Sequence, residues 1–258
     1  GVYIQTNIIP ATYTVEASNV VSIMDALRCE KQEADAQWAA FNQVLRDEVR
    51  LPIYHCLGNH DVWGWGDLRQ DSPDPSALQA GKDHALQSLG LSARYYTFDQ
   101  AGWRFLVLDS VHPRDHDSVH PYTGKLDDVQ REWLVQQLDQ TPAETPICVV
   151  SHIPILCACE ALDGQNELSG DWVVPGAWMH IDARWLWTLF RDHPNVRLCL
   201  SGHSHQVEDL RYSGVTYLTN GAICADWWRG SYMGFPPGYV VVTLHSDGTA
   251  ESQFVTYG

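Results

Sequence analysis

The chain has no apolar run near the ~20 residues that a membrane-spanning helix requires, so no span is expected. It is also poor in positive charge: 16 Lys and Arg stand against 32 Asp and Glu, a formal net charge of −16. Proteins that grip phosphate backbones do so with clustered cations, and no nucleic-acid surface is expected here. The acid surplus suits a protein that holds cations, and it is equally the charge of an ordinary soluble surface. No Cys-x-x-Cys pair occurs among the seven cysteines, and an odd number at these spacings does not describe a disulfide framework. Cys157-Ala158-Cys159 is the one suggestive pair and reads as part of a loop. Low-complexity linkers and internal repeats are lacking. So are the basic and apolar segments of a signal peptide at the start; a first residue Gly1 fits a processed form or a fragment, and the compartment stays open.

What is present is a core-forming composition, 45% apolar and 11% aromatic over 258 residues. That is enough for one domain over residues 23–258, preceded by an atypical segment 1–22 rich in Val, Ile, Thr and Tyr. A helical stripe of Trp38, Phe41, Leu45 and Val49 runs from about Met24 to Val49 and stops before Pro52. Apolar runs at 53–57, 147–150 and 196–200 read as buried strands. The segments 93–98 and 103–108, joined by Asp99-Gln100-Ala101-Gly102, read as a hairpin. Helices are expected near 76–89, 126–139 and 181–192, the second with Leu126, Val129, Trp133 and Leu138 inward. Strands near 206–212, 215–219 and 238–245 close the chain, while 112–124 and 157–178 read as loops. The fold class is α/β.

Each of the three buried strands ends in a short polar motif. They are Gly58-Asn59-His60-Asp61, Ser151-His152 and Gly202-His203-Ser204-His205. Three strand ends that deliver imidazoles and an amide to one sheet edge describe a metal site. Neutral nitrogen and oxygen donors bind divalent metals, and a bound metal polarises a phosphoester and generates a nucleophile near neutral pH. The other histidines (His84, His112, His116, His120, His180, His193 and His245) read as solvated loop residues. Among them, His116 and His120 have some chance of lining a cleft. His55 reads as packed. Trp227-Trp228 is either a cap over the metals or an ordinary aromatic pair.

In this order and spacing the motifs resemble the calcineurin-like metallophosphoesterase family, which includes purple acid phosphatases and cyclic-nucleotide phosphodiesterases. Tyr122-Thr123-Gly124-Lys125-Leu126 before Gln130-Arg131-Glu132-Trp133-Leu134, and Thr219-Asn220-Gly221-Ala222, support the likeness over roughly 23–245. The resemblance implies a β-sandwich of two mixed sheets flanked by helices. It implies Asn59, His152 and His203 on one metal and His205 on the other. His60 would contact the phosphate and protonate the leaving group, with Asp61 orienting it. Gly58 and Gly202 would let the backbone turn sharply beneath the metals. The expected activity is hydrolysis of a small phosphomonoester or phosphodiester by metal-activated hydroxide, with Mn, Fe or Zn as the metal.

The family's first strand, its Asp-x-His and its bridging Gly-Asp find no match in this chain. Aligning Ser18-Asn19-Val20-Val21-Ser22 with the family's second motif puts Val21 or Ser22 where the bridging carboxylate belongs. Asp25 reads as a helix-start residue. The expectation is therefore one bound metal, where the family uses two, and weaker binding by neutral donors alone. Two other readings stay open: a non-catalytic binding or structural protein that keeps the fold, and a zinc-binding protein without phosphoester chemistry. A sheet lacking a strand leaves hydrogen-bonding groups unpaired, so a homo-oligomer is open too.

Overall fold

Apolar residues at three- and four-residue spacing make α1 (Lys31–Glu48), whose Trp38 and Phe41 are buried. They pack on Leu57 and on Ala85 of α2 (Pro75–Leu89). The computed structural model describes residues 3–5, 31–64, 75–114 and 120–257. Val21, Ser22, Asp25 and His116 lie outside the described residues, as does most of the 1–22 segment. Within that segment, β1 (Tyr3–Gln5) pairs parallel with β2 (Ile53–His55).

The central sheet has six strands in the order β3-β4-β7-β8-β10-β9. They are β3 (Tyr96–Gln100), β4 (Trp103–Val107), β7 (Ile147–Val150), β8 (Val196–Ser201), β9 (Val207–Tyr212) and β10 (Val215–Asn220). β4, β7, β8 and β10 run parallel, while β3 and β9 pair antiparallel at the two edges. All four residues of β7 are buried, the near-continuous apolar run that a two-sided parallel strand needs. The β3–β4 turn uses Ala101 at φ 52° and Gly102 at φ 83°, the left-handed pair of a tight hairpin.

One face of the sheet is covered by α3 (Asp128–Gln140) and α4 (Ala183–Asp192). Leu134, Leu138, Leu186 and Phe190 pack there on Leu106, Val149, Val196 and Cys199. On the other face Trp103, Phe105, Val150, Leu198 and Leu200 meet Cys56, Val242 and Leu244. That second layer consists of short ribbons, β1–β2 and the hairpin β11 (Gly238–Leu244)–β12 (Ala250–Thr256). A third ribbon, β5 (Val111–Pro113) with β6 (Tyr122–Gly124), falls in the segment expected to be a loop. Val129, expected inward, is 67% exposed, and Gln130 is buried in its place. Gln130 turns to the main chain of Asp109, accepting from its N–H and donating to its carbonyl. No helix among the described residues is long and apolar enough to cross a membrane.

Candidate metal centre

The three motifs leave the sheet layer at the C-terminal ends of parallel strands, where backbone is rigid below and open above. Asn59-His60-Asp61 forms a short 3-10 turn after β2, His152 follows β7, and His203 and His205 follow β8. His152 Nε2 lies 2.7 Å from Asn59 Oδ1 and 3.1 Å from His203 Nδ1. Ligand atoms bound to one metal at about 2.0–2.1 Å and near right angles stand about 3 Å apart, so this cluster has the spacing of a ligand set.

Each donor is oriented by a partner behind it. Asn59 Nδ2 donates to Tyr122 Oη at 3.0 Å, which turns Oδ1 toward the imidazoles. His203 Nε2 lies 2.9 Å from the Ala177 carbonyl, and His205 Nδ1 lies 2.6 Å from the Ala225 carbonyl. Those carbonyls can only accept, so each fixes the tautomer and makes the other ring nitrogen the one that carries the lone pair a metal needs. Burial, and then the neighbouring His152, hold His203 well below the usual imidazole range. Burial also lowers His205. The rings are therefore neutral near pH 7, the protonation state a metal requires. The donor set fits one divalent ion.

His205 lies close enough to His203 to lower its imidazole further. His203 and His205 hold φ of 66° and 59°, and Ala225, Trp227 and Trp228 are also left-handed. Non-glycine residues in that region cost about 1 kcal/mol or more each, and such strain gathers at functional sites. Of the two tryptophans, Trp227 faces the site: its ring centroid lies 4.8 Å from those of both His60 and His205. Trp228 is 46% exposed.

His60 and Asp61 are brought to this edge, but not to each other in the expected way. Asp61 Oδ2 accepts from the Gly58 N–H at 2.7 Å and closes the turn. Its carboxyl is pushed up to about 7 by burial, against the pull of that N–H. His60 Nδ1 is buried without a hydrogen-bond partner. Burial, then the nearby His205, lowers His60 to about 4. Gly58 also differs from expectation, because its φ of −109° is open to any residue. Glycine is needed there for space: a β-carbon would sit 2.7 Å from His152 Cε1.

Two histidines read as solvated are interior groups. His112 is 6% exposed, beside the buried pair Lys82–Asp109. His180, 2% exposed, bridges Ser151 Oγ at 3.0 Å and Asp182 Oδ1 at 2.8 Å. This Ser–His–Asp series is not a nucleophile, because the Ser151 hydroxyl donates to the Ile153 carbonyl at 2.7 Å and Ser151 is buried. It braces the residue next to His152. His55 is packed as expected, edge-on to Phe41.

Sequence reasoning missed Tyr122 and the Ala177 and Ala225 carbonyls as orienting groups. Tyr122 lay inside a recognised stretch, but backbone carbonyls leave no signal in a sequence.

Compared with known proteins, residues 25–207 match the family model for calcineurin-like phosphoesterases. The chain is 28% identical over 210 residues to the 3′,5′-cyclic adenosine monophosphate phosphodiesterase CpdA of Escherichia coli, covering 79% of this chain and 63% of that protein. It is 24% identical over 208 residues to a 3′,5′-cyclic-nucleotide phosphodiesterase of Nostoc, covering 79% and 64%. The chain thus spans under two thirds of the length of these relatives. Its fold is similar to that of a dimetal phosphatase from Danio rerio, with TM-score 0.53 and 15% identity over 93% of this chain and 82% of that one. With the family model matched across most of its length, the chain belongs to the calcineurin-like phosphoesterase family.

Proposed function

We propose that the chain hydrolyses small phosphoesters at a divalent metal held by Asn59, His152 and His203, with His205 serving a second position. The observation that carries this reading is the convergence of Asn59 Oδ1 and His203 Nδ1 on His152 Nε2, at 2.7 and 3.1 Å. When bound, a divalent metal supplies Lewis-acid polarisation of the phosphoryl group and lowers the pKa of a water. The remaining tasks fall to the side chains. His60, neutral and beside Trp227, offers an N–H to a phosphoryl oxygen or a departing alkoxide. Asp61 holds the turn that carries both Asn59 and His60. Trp227 and Tyr232 flank His205 and keep water from that side. The likeness to cyclic-nucleotide phosphodiesterases makes a cyclic phosphodiester the first substrate to try.

A second reading, a cleft that binds phosphoesters without turning them over, draws on the neutral character of Asn59, His152 and His203, the three donors that converge. Neutral donors compensate less of a metal's charge, so metal affinity below that of carboxylate-containing centres is expected. The test is a chelator-stripped chain reloaded with Mn²⁺ and offered bis(p-nitrophenyl) phosphate, p-nitrophenyl phosphate and 3′,5′-cyclic AMP. Hydrolysis that returns with Mn²⁺ and is lost in His152→Ala and His203→Ala supports the hydrolase. Binding of Mn²⁺ and cyclic AMP without turnover selects the second reading, and neither binding nor turnover overturns both.

A further inference from the structure

We propose that Cys157, Cys159 and Glu208 form a separate metal site for a thiophilic divalent cation of the zinc class. The loop after β7 passes Cys157 and enters a short 3-10 turn at Cys159–Ala161, and Glu208, second residue of β9, folds over it. Glu208 Oε2 accepts from the Ala158 N–H at 2.9 Å and lies 3.5 Å from the Cys159 N, so the carboxylate is fixed above the turn. Both sulfurs and a Glu208 oxygen lie within 4.8 Å of one another. Zinc–sulfur bonds of about 2.3 Å at tetrahedral angles put two sulfurs about 3.8 Å apart, a spacing inside that range.

The charge around the turn calls for a cation. Glu160 is 2% exposed and follows Cys159 directly in the turn. Asp163 accepts only from neutral groups, Gln206 Nε2 at 3.3 Å and Tyr232 Oη at 2.7 Å. Among the described residues, no ion pair reaches Glu160, Asp163 or Glu208. Acids crowded together without a counter-ion are unfavourable, and a divalent cation removes that repulsion.

Two thiolates with one carboxylate select zinc-like ions over Mg²⁺ or Ca²⁺, which prefer all-oxygen sets. Binding forms two metal–sulfur bonds and releases one proton from each thiol to solvent, with no change in oxidation state. The bound ion would tie the loop that follows His152 to the strand that follows His205. The site is thus a clasp across two ligand-bearing segments of the other centre.

The test uses the full chain, reduced and chelator-stripped, loaded with Co²⁺ alone. A thiolate-to-cobalt charge-transfer band in the near ultraviolet is expected, saturating at one equivalent and displaced by Zn²⁺. It should persist in His152→Ala/His203→Ala, vanish in Cys157→Ser/Cys159→Ser, and need at least tenfold more metal in Glu208→Gln. A natively folded wild type without the band, or a band that survives the cysteine pair, overturns the proposal. If the cysteine variant does not fold, alkylation of the wild type decides: Zn²⁺ should protect both thiols, and labelling of both at the metal-free rate overturns the site.

Discussion

The imidazole of His152 lies flat against the α-carbon of Gly58, close enough that a β-carbon there would stand 2.7 Å from Cε1 and 2.8 Å from Nδ1. Gly58→Ala must therefore push the His152 ring off Asn59 and His203. Displacing a positioned group by about 1 Å can cost about a hundredfold in rate. The expected outcome is at least tenfold weaker Mn²⁺ binding by calorimetry, with unfolding destabilised by about 1–3 kcal/mol from overpacking. Unchanged Mn²⁺ affinity would show that His152 does not ligate.

Tyr122→Phe removes the oxygen that accepts from Asn59 Nδ2. The amide is then free to rotate and present its NH₂ to the metal position. Loss of such an outer partner typically costs 10–100-fold in metal affinity, and about tenfold is expected here. Tyr96→Phe serves as control, since its hydroxyl donates to the His55 carbonyl away from the centre. Equal effects from the two variants would remove Tyr122 from this role.

Asp182 supplies a pH signature. Burial alone would raise its carboxyl. His180, the Leu126 N–H and Arg131 outweigh burial and bring it down to about 2 from 3.8. A depressed carboxyl contributes stability that is fully present above about pH 4 and lost as pH falls toward 2. The shift corresponds to roughly 2 kcal/mol. In urea unfolding the wild type should lose about that much more stability than Asp182→Asn across this window, and Asp182→Asn should be the less stable at pH 7. Parallel curves for the two proteins would sink the assignment.

Trp227→Ala opens the side of the site lined by His60 and His205. Metal affinity should stay within twofold, while kcat/KM on a diester substrate drops about tenfold. A change confined to metal affinity would mean that Trp227 shapes the His205 ligand and not the substrate side.

The motif-bearing strands were legible because their runs are apolar on both faces, as in Ile147–Val150, and because polar residues stop each run abruptly. The β3–β4 hairpin was legible from Asp99–Gly102. β12 was not, since Glu251, Ser252 and Gln253 are exposed and carry no apolar alternation. The ribbon β5–β6 was hidden by its brevity and by the His- and Pro-rich stretch between its strands. Of the site, Asn59, His60, His152, His203 and His205 were readable as donors. The burial of His112 and His180 was not, because their partners Asp109 and Asp182 owe their places to long-range packing. Cys157 and Cys159 looked like loop residues because Glu208, which meets them, lies some fifty positions away.

The three donors of the centre also carry a history of assembly. His152 is 93 residues from Asn59 and 51 from His203, and the β7–β8 pairing beneath them is parallel, with α4 crossing between. Contacts of such separation close late, after local helices have formed. The cluster therefore does not exist in a collapsed but unpaired chain. A metal held by these three donors would be captured only once the β7–β8 pairing beneath them has formed, so its uptake would report on that step of folding.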